Sequence, residues 1–519
     1  MKLASYVSGK WVEGTDEGAA LVDPVTGEEL ARASTAGIDI AAAMAHARKT
    51  AGPVLRAMTF NERANLLKGI ADTLTANRDS YFEIAVANSG ATKADAAFDI
   101  DGGIGTVKFY SRLGEGLGGA RYLRDGRFDR LSRDEAFQAM HLSVPIEGVA
   151  IHINAFNFPS WGLWEKAAVA LLSGVPVLAK PATATALLSH RMVKDVIDAG
   201  ILPDGALSLV CGAARDLTDH ITGQDAIAFT GSAGTAHALR AHPRVIESAV
   251  RLNVEADSLN ASILGPDGRA DSPEFDLFVR EVVREMIQKA GQKCTAIRRA
   301  LVPKGAIDDV TGALESRLGK VVVGNPRNET VTMGPVVTKS QQAAVIEAIG
   351  RLRTEARTVL GGGALDPVDA DVEKGCFVPP TLLRCDDPAG AQAVHEVEAF
   401  GPVCTVMPYG DPAEAFALAS RGAGSLAASV FTGDQAFAVK AVFGLGAHHG
   451  RVLVVDDSVG KSQTGHGNVM PMCVHGGPGR AGGGEELGGL RGLAFYHQRL
   501  AVQGRKDWLE GLAESAAEA

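Results

Sequence analysis

From Val149 onward, short β-branched runs alternate with longer segments of helical periodicity, and this alternation limits the possible folds more than any other feature. VAIHI is followed by the helix-like WEKAAVALLSG, VPVLAKP by RMVKDVIDAG, and AIAFTGS by another helical stretch. Strands that alternate with helices are joined by crossovers into parallel sheets covered on both faces. A second series runs from about 258 to 475, with ASILG, EFDLFVREVVREMIQKAG, AIRRALVP, QQAAVIEAIG, AVHEVEAFGPVCTVMPYG and RVLVVDD. The class is therefore α/β. Residues 36–118 carry apolar positions at helical spacing, and YLRDGRFDRLSRDEAFQAMHLSVPIEG (122–148) is polar and broken by DG, which predicts an extended hairpin excursion. FYHQRLAVQ has strand character, and the end after Trp508 is expected to fray.

Charge and cysteine usage remove several function classes. The 519 residues carry a net charge of −10 and a pI near 5.8, without the basic excess of a general nucleic-acid binder. MKLASYVSGKWVEG has no apolar core of signal-peptide length, and the longest apolar stretch, AAVALLSGVPVLA (167–179), is cut by Ser173, Gly174 and Pro176. It falls short of the about 20 residues that span a bilayer, so a cytoplasmic protein without membrane contact is expected. The six cysteines are far apart and form no CxxC pair, which predicts reduced thiols and neither a disulfide framework nor a metal site.

One of these thiols stands in GQKCTAIRRALVP (291–303). Cys294 is a nucleophile only if its thiolate is stabilised or a base stands near; alone it reads as an inert buried residue. Asn157 follows a strand and precedes a helix that Pro159 is expected to open at its first position, so its carboxamide is either a free donor or a cap. Glu255 lies in the extended apolar run RLNVEADSLNASIL, where a solvated strand-edge carboxylate is the plain reading. Glu398 precedes Phe400 in VHEVEAFGPV, and Glu165 and Lys166 form a charged pair inside an apolar helix, either an ion pair or a solvated stripe.

Together and in this order, NFP (157–159), KPA (180–182), FTGS (229–232), the Glu255 stretch, GQKC (291–294) and EAFGPV (398–403) resemble the aldehyde dehydrogenase superfamily over nearly the full length. The resemblance implies a Rossmann-like cofactor domain at 1–121 and 147–256, an α/β catalytic domain at 257–475, a small β oligomerisation module at 122–146 and 476–505, and a tail at 506–519. Its exposed edges would make at least a homodimer. The resemblance also implies that Cys294 attacks an aldehyde, that the Asn157 side chain and the Cys294 backbone N–H hold the oxyanion, and that Glu255 activates the hydrolytic water. An apolar setting is expected to bring the Glu255 pKa near working pH. Lys166 matches the family's helix lysine and Glu486 its C-terminal glutamate, so a proton path to Glu255 is expected; Glu165 stands where the family has an aromatic.

The same resemblance assigns the cofactor residues. Gly231 and Ser232 open a helix suited to a pyrophosphate, although Ala236 replaces the family's helix glycine. Lys180 would meet the adenine ribose, Glu398 the nicotinamide ribose, and Phe400 the ring. Thr183 stands where NAD-selective relatives carry a glutamate, which eases repulsion of a 2′-phosphate by about 1 kcal/mol; NADP is the expected cofactor, with NAD possible. Phe156, EADS (255–258) and GRAGGGEELGGLRG resemble a branch of the family that oxidises a six-carbon semialdehyde carried as a CoA thioester in aromatic-compound degradation. Three alternatives are a broad-range medium-chain aldehyde dehydrogenase, a CoA-acylating enzyme, against which Glu255 speaks, and a dead-site structural protein, against which Cys294 and Asn157 speak.

Overall fold

The computed structural model describes residues 1–214 and 216–518. Two seven-stranded sheets carry the two strand-helix series. The first runs in the order Arg251–Glu255, Ala226–Thr230, Ala150–Ile153, Val177–Lys180, Leu207–Leu209, Ser5–Val7, Lys10–Val12; its first five strands are parallel, and the N-terminal hairpin is added antiparallel at one edge. Alternate residues feed opposite cores: Ala150, Val177 and Ala179 face the helices Phe60–Ala76, Lys93–Leu117 and Trp161–Leu172, whereas Ile151, Leu178 and Ile227 face the other layer. A sheet buried on both faces needs such near-continuous apolar strands, which is why these segments read so clearly in the sequence.

The second sheet has the order Arg357–Leu360, Thr381–Arg384, Val403–Tyr409, Arg299–Pro303, Ala261–Leu264, Ser425–Phe431, His449–Val455, antiparallel only at its first strand. A separate four-stranded sheet joins His497–Arg505, Phe137–Pro145, Tyr122–Arg130 and Ala516–Glu518. Its edge strand begins at His497; of the residues before it, Val474–Gly476 and Glu485–Leu487 form a hairpin of their own, so the segment expected at 476–505 joins this sheet only from 497 on. The segment expected to fray is built in as far as Glu518: Lys506–Ala513 is helical, with Leu509 packed on Met140 and Leu142, and Ala516–Glu518 pairs in parallel with Tyr122–Arg124.

The helix after Asn157 starts at Trp161 rather than at Pro159. The Asp99 carboxylate, reaching across from Lys93–Leu117, accepts from the backbone N–H of Trp161 at 2.8 Å and of Ser160 at 3.3 Å, and a helix begins where its first donors find a partner. Among the described residues no helix is long and apolar enough to cross a membrane.

Candidate active site

Ile153, Lys180, Thr230 and Glu255 are the last residues of four neighbouring parallel strands, and a cleft of ≈ 700 Å³ opens beyond them. Its far wall is the helix Lys339–Leu352 together with Glu398 and Phe400. Ligand clefts in open α/β sheets sit at these carboxyl ends, because the strands stop there and the loops diverge.

Cys294 reaches the floor of this cleft on a loop held by its own carbonyls. Lys289, Ala290 and Gly291 take left-handed backbone angles in succession, with φ of 53°, 51° and 68°. A Cβ on Gly291 would lie 2.1 Å from the Gly401 carbonyl oxygen, so GQKC and EAFGPV touch where only glycine fits. Arg298, one of the two arginines after Cys294, donates to the carbonyls of Gly291, Gly401 and Lys293 at 2.9, 2.9 and 3.0 Å. The Asn260 amide donates to the carbonyls of Cys294 and Ala296 at 2.8 and 2.9 Å. A buried guanidinium and a buried carboxamide thus fix the thiol's position.

The polar atoms of Cys294, Glu255 and His475 lie within 4.8 Å of one another. Glu255 is no solvated edge group: it is 3 % exposed, and its Oε2 stands 2.9 Å from His475 Nε2. Nor is its setting the apolar one expected. Burial pushes the carboxyl up, but His475, with help from Lys166, overcomes that and holds it below the usual carboxylate range. Burial raises the Cys294 thiol well above its usual range and the adjacent Glu255 carboxylate adds to this, so the resting thiol is protonated.

Behind Glu255 the structure brings Glu165, Lys166 and Glu486 together. Lys166 Nζ lies 3.0 Å from Glu165 and 3.1 Å from Glu486, whose other oxygen accepts from the Asn253 amide at 3.1 Å. Burial works against the Lys166 charge, yet Glu486, Glu165 and Glu255 keep it firmly protonated. Burial also raises Glu486, a rise that Lys166 only partly offsets. His475 was not singled out from the sequence. The available signal was a titratable residue opening the glycine run HGGPGRAGGGEELGG, and cross-strand pairing sets it opposite Glu486.

A second space, a slot of ≈ 50 Å³, meets the cleft at Asn157, Thr230, Glu255 and Cys294. Its walls include Phe98, Phe158 and Trp161, three rings edge to face with centroids 5.2 to 5.9 Å apart. No sequence pattern joined these three. At its outer end Phe98, Trp161 and Val469 also border an open groove of ≈ 630 Å³ along the helix Lys93–Leu117.

On the cleft side, Lys180, Gly231, Ser232, Glu398 and Phe400 all line the cavity; Thr183 does not, lying one residue beyond Ala182, which does. Buried polar atoms without a hydrogen-bond partner border the cleft: both amide atoms of Asn154, Thr230 Oγ1 and Glu398 Oε1. Such a set fits a large polar ligand that brings its own donors and acceptors, as a dinucleotide does. Phe156 meets Phe400 edge to face at 5.7 Å. Burial pushes Glu398 up to about 7 against the opposing pull of Arg298. The helix Ala233–Arg240 that Ser232 caps already holds a carboxylate at its start, since Ala233 N donates to Asp257 at 3.2 Å; Arg480 stands 3.7 Å from the same group.

The aldehyde dehydrogenase family profile matches residues 11–500. The chain is 56% identical over 479 residues, 92% of its length and 93% of the relative's, to 3,4-dehydroadipyl-CoA semialdehyde dehydrogenase from Aromatoleum evansii. It is 29% identical over 436 residues, 83% of its length and 85% of the relative's, to betaine aldehyde dehydrogenase from Vibrio vulnificus strain CMCP6. A point mutant of betaine aldehyde dehydrogenase from Staphylococcus aureus, solved in complex with NAD+, shares the fold with a TM-score of 0.83 at 24% identity, over 97% of this chain and 98% of that one.

Proposed function

The chain belongs to the aldehyde dehydrogenase family and is an enzyme of it, and from that premise we propose that it oxidises 3,4-dehydroadipyl-CoA semialdehyde to the corresponding acid with NADP+ as oxidant. The observation that carries the reading is the meeting of Cys294, Glu255 and Asn157 where slot and cleft join, in a chain 56% identical to a relative named for that substrate.

The chemistry follows from these positions. The aldehyde end enters the slot, Cys294 loses its proton to solvent water, and its sulfur bonds to the carbonyl carbon. The oxygen takes the charge and is held by the Asn157 carboxamide and the Cys294 backbone N–H, a donor of this kind being worth about 10²–10³ in rate. A bound nicotinamide cofactor supplies the oxidising power, taking up two electrons and the aldehyde hydrogen and leaving a thioester on Cys294. Water then attacks the thioester carbon as Glu255 accepts its proton; the C–S bond breaks, the acid leaves and the thiol recovers a proton. Protons collected at Glu255 leave by the buried cluster of Glu165, Lys166 and Glu486.

Lys180, Gly231, Ser232, Glu398 and Phe400 would hold the cofactor, with Arg480 offsetting the Asp257 charge beside the pyrophosphate position. NADP preference is supported by Thr183 in place of a glutamate and by Lys180, whose only hydrogen bond among the described residues is a long one of 3.5 Å to the Pro181 carbonyl. A second copy of the chain is the proposed partner. The helix Gln435–Leu445 exposes Val439, Val442 and Phe443, the last 82 % exposed, and an apolar face of this kind is covered in a homodimer. Light scattering at micromolar concentration that shows only monomer removes that part of the proposal.

The deciding assay compares kcat/KM for the CoA-linked semialdehyde with that for hexanal, using NADP+ and NAD+, with and without free CoA. A clear advantage for the CoA-linked aldehyde supports the reading. Equal or better use of hexanal replaces it with a broad-range medium-chain enzyme, and a requirement for free CoA replaces it with an acylating one.

A further inference from the structure

We propose that His475 is a positioning residue for thioester hydrolysis, holding the Glu255 carboxylate ionised and aimed at the carbon bonded to Cys294; the inference rests on the reading of Glu255 as the base.

The contact is built from the backbone up. The glycine run that follows His475 lies flat against the strand carrying Glu255. A Cβ on Gly482 would lie 2.2 Å from the Val254 carbonyl oxygen, and one on Gly484 would lie 2.4 Å from Asn253 Oδ1. Ala256 N donates to the Ala481 carbonyl at 3.1 Å, and Glu485 N donates to Asn253 Oδ1 at 2.8 Å. The distance between His475 and Glu255 is therefore set by two backbones in contact and not by one flexible side chain. Within the hairpin, His475 and Glu486 are directly opposed, so one element presents an imidazole to Glu255 and a carboxylate to Lys166.

The imidazole answers an electrostatic need. Glu255 is buried, and the neighbouring cluster contributes the carboxylates of Glu165 and Glu486 from a helix and a strand, against one cation, Lys166. Burial and like charges favour the protonated acid, which cannot take a proton from water. His475, whose own charge is favoured by Glu255 and Glu165 and opposed by burial and Arg451, tips the balance to the carboxylate. Its Nε2 occupies Oε2 and leaves Oε1 buried without a partner. That free oxygen accepts the water proton while the water oxygen bonds to the thioester carbon and the C–S electron pair returns to sulfur.

The test uses His475→Gln and His475→Phe and separates the burst of reduced cofactor from steady-state turnover across pH. The burst amplitude and the aldehyde KM should stay near wild type. Turnover near pH 6 should fall about tenfold, the effect of the base pKa rising from below the usual carboxylate range to about 7 once the imidazole is gone, and should recover toward wild type near pH 9. A loss that is equal at every pH, or acid limbs that superimpose on wild type, overturns the proposal. The wild-type enzyme gives an independent reading: its hydrolytic acid limb should lie below about pH 6, and a limb at or above about pH 7 overturns the proposal whether or not the variants fold. Glu255→Gln separates the two readings. If it keeps full steady-state turnover, the base assignment has failed; if it stalls hydrolysis while the His475 variants keep the wild-type limb, only the present inference has failed.

Discussion

The two spaces that meet at Cys294 differ in size and in build. The cleft, at ≈ 700 Å³, is walled by strand ends and a helix start and bordered by polar atoms that lack partners. The slot, at ≈ 50 Å³, is walled by the rings of Phe98, Phe158 and Trp161 and by the charged side chains of Glu165, Lys166 and Glu255. A large space with orphaned donors and acceptors binds a ligand that completes them, whereas a small ringed one admits only the end of a chain. On the proposed function, this difference predicts that the two half-reactions are separable. On that function, redox chemistry would draw on the cleft wall and hydrolysis on the charged cluster beside the slot; Cys294, Glu255, Asn157 and Thr230 line both spaces.

The largest expected effect comes from removing the shared atom. Cys294→Ala should abolish burst and turnover together, by at least about 10⁴-fold. Glu255→Gln should divide them: the burst survives, because the cleft is intact, while steady-state turnover falls by about 10²–10⁴. Rapid-mixing absorbance of the reduced cofactor measures both phases. If Glu255→Gln removed the burst as fully as Cys294→Ala does, the two half-reactions would not be separable and the comparison would break.

The slot can be perturbed without touching the cleft. A Cβ on Gly102 would lie 2.1 Å from the Trp161 ring, so Gly102→Ala must displace one wall of the slot while leaving every cleft residue in place. We expect kcat/KM for the aldehyde to fall about tenfold to a hundredfold with the cofactor KM unchanged, since a misplacement of about 1 Å near the reacting atoms has that effect. A matched loss in both parameters would show that the two spaces are mechanically coupled.

The same contrast explains what could be read from the sequence. Lys180 and Glu255 each end a strand, and Gly231 and Ser232 follow one directly; a strand-end motif is contiguous, so its residues announce themselves together. The slot residues Phe98, Trp161 and Val469 come from three distant segments and meet only through folding, and Phe98 sits in a helix of ordinary apolar spacing. His475 escaped because what aims it is the close approach of glycines 482 and 484 to another strand, and that contact leaves no pattern in local sequence. The closing helix was hidden in an Ala- and Glu-rich run whose single buried residue, Leu509, gives too little periodicity to detect. Thr183 is legible only by comparison with relatives, and the fold places it just outside the cleft lining.

Thr183→Glu therefore sharpens the account of the cleft. A new carboxylate one residue beyond Ala182 would face the 2′-phosphate of NADP+ but not the hydroxyl of NAD+. Repulsion of about 1 kcal/mol corresponds to a roughly fivefold change, so the ratio of kcat/KM for NADP+ to that for NAD+ should drop by about five. An unchanged ratio would mean that the adenine ribose lies elsewhere along the cleft.

The smallest effect concerns the opposite wall. Burial holds the Glu398 carboxyl up at about 7, so it is protonated in mild acid and ionised in mild base. Its Oε2 is engaged by the Ser258 N–H at 3.2 Å, and its buried Oε1, with Arg298 Nε 3.9 Å away, has no hydrogen-bond partner, which leaves one oxygen for a ribose hydroxyl. An ionised acceptor makes a hydrogen bond about twice as strong as a neutral one, so the cofactor KM should fall about threefold as pH rises through about 7. Glu398→Gln should flatten that dependence without altering the pH profile of hydrolysis, which belongs to the Glu255 side of the thiol. Should the cofactor KM of the wild-type enzyme be level across this range, Glu398 does not contact the ribose, and pH control in this molecule lies only behind the slot.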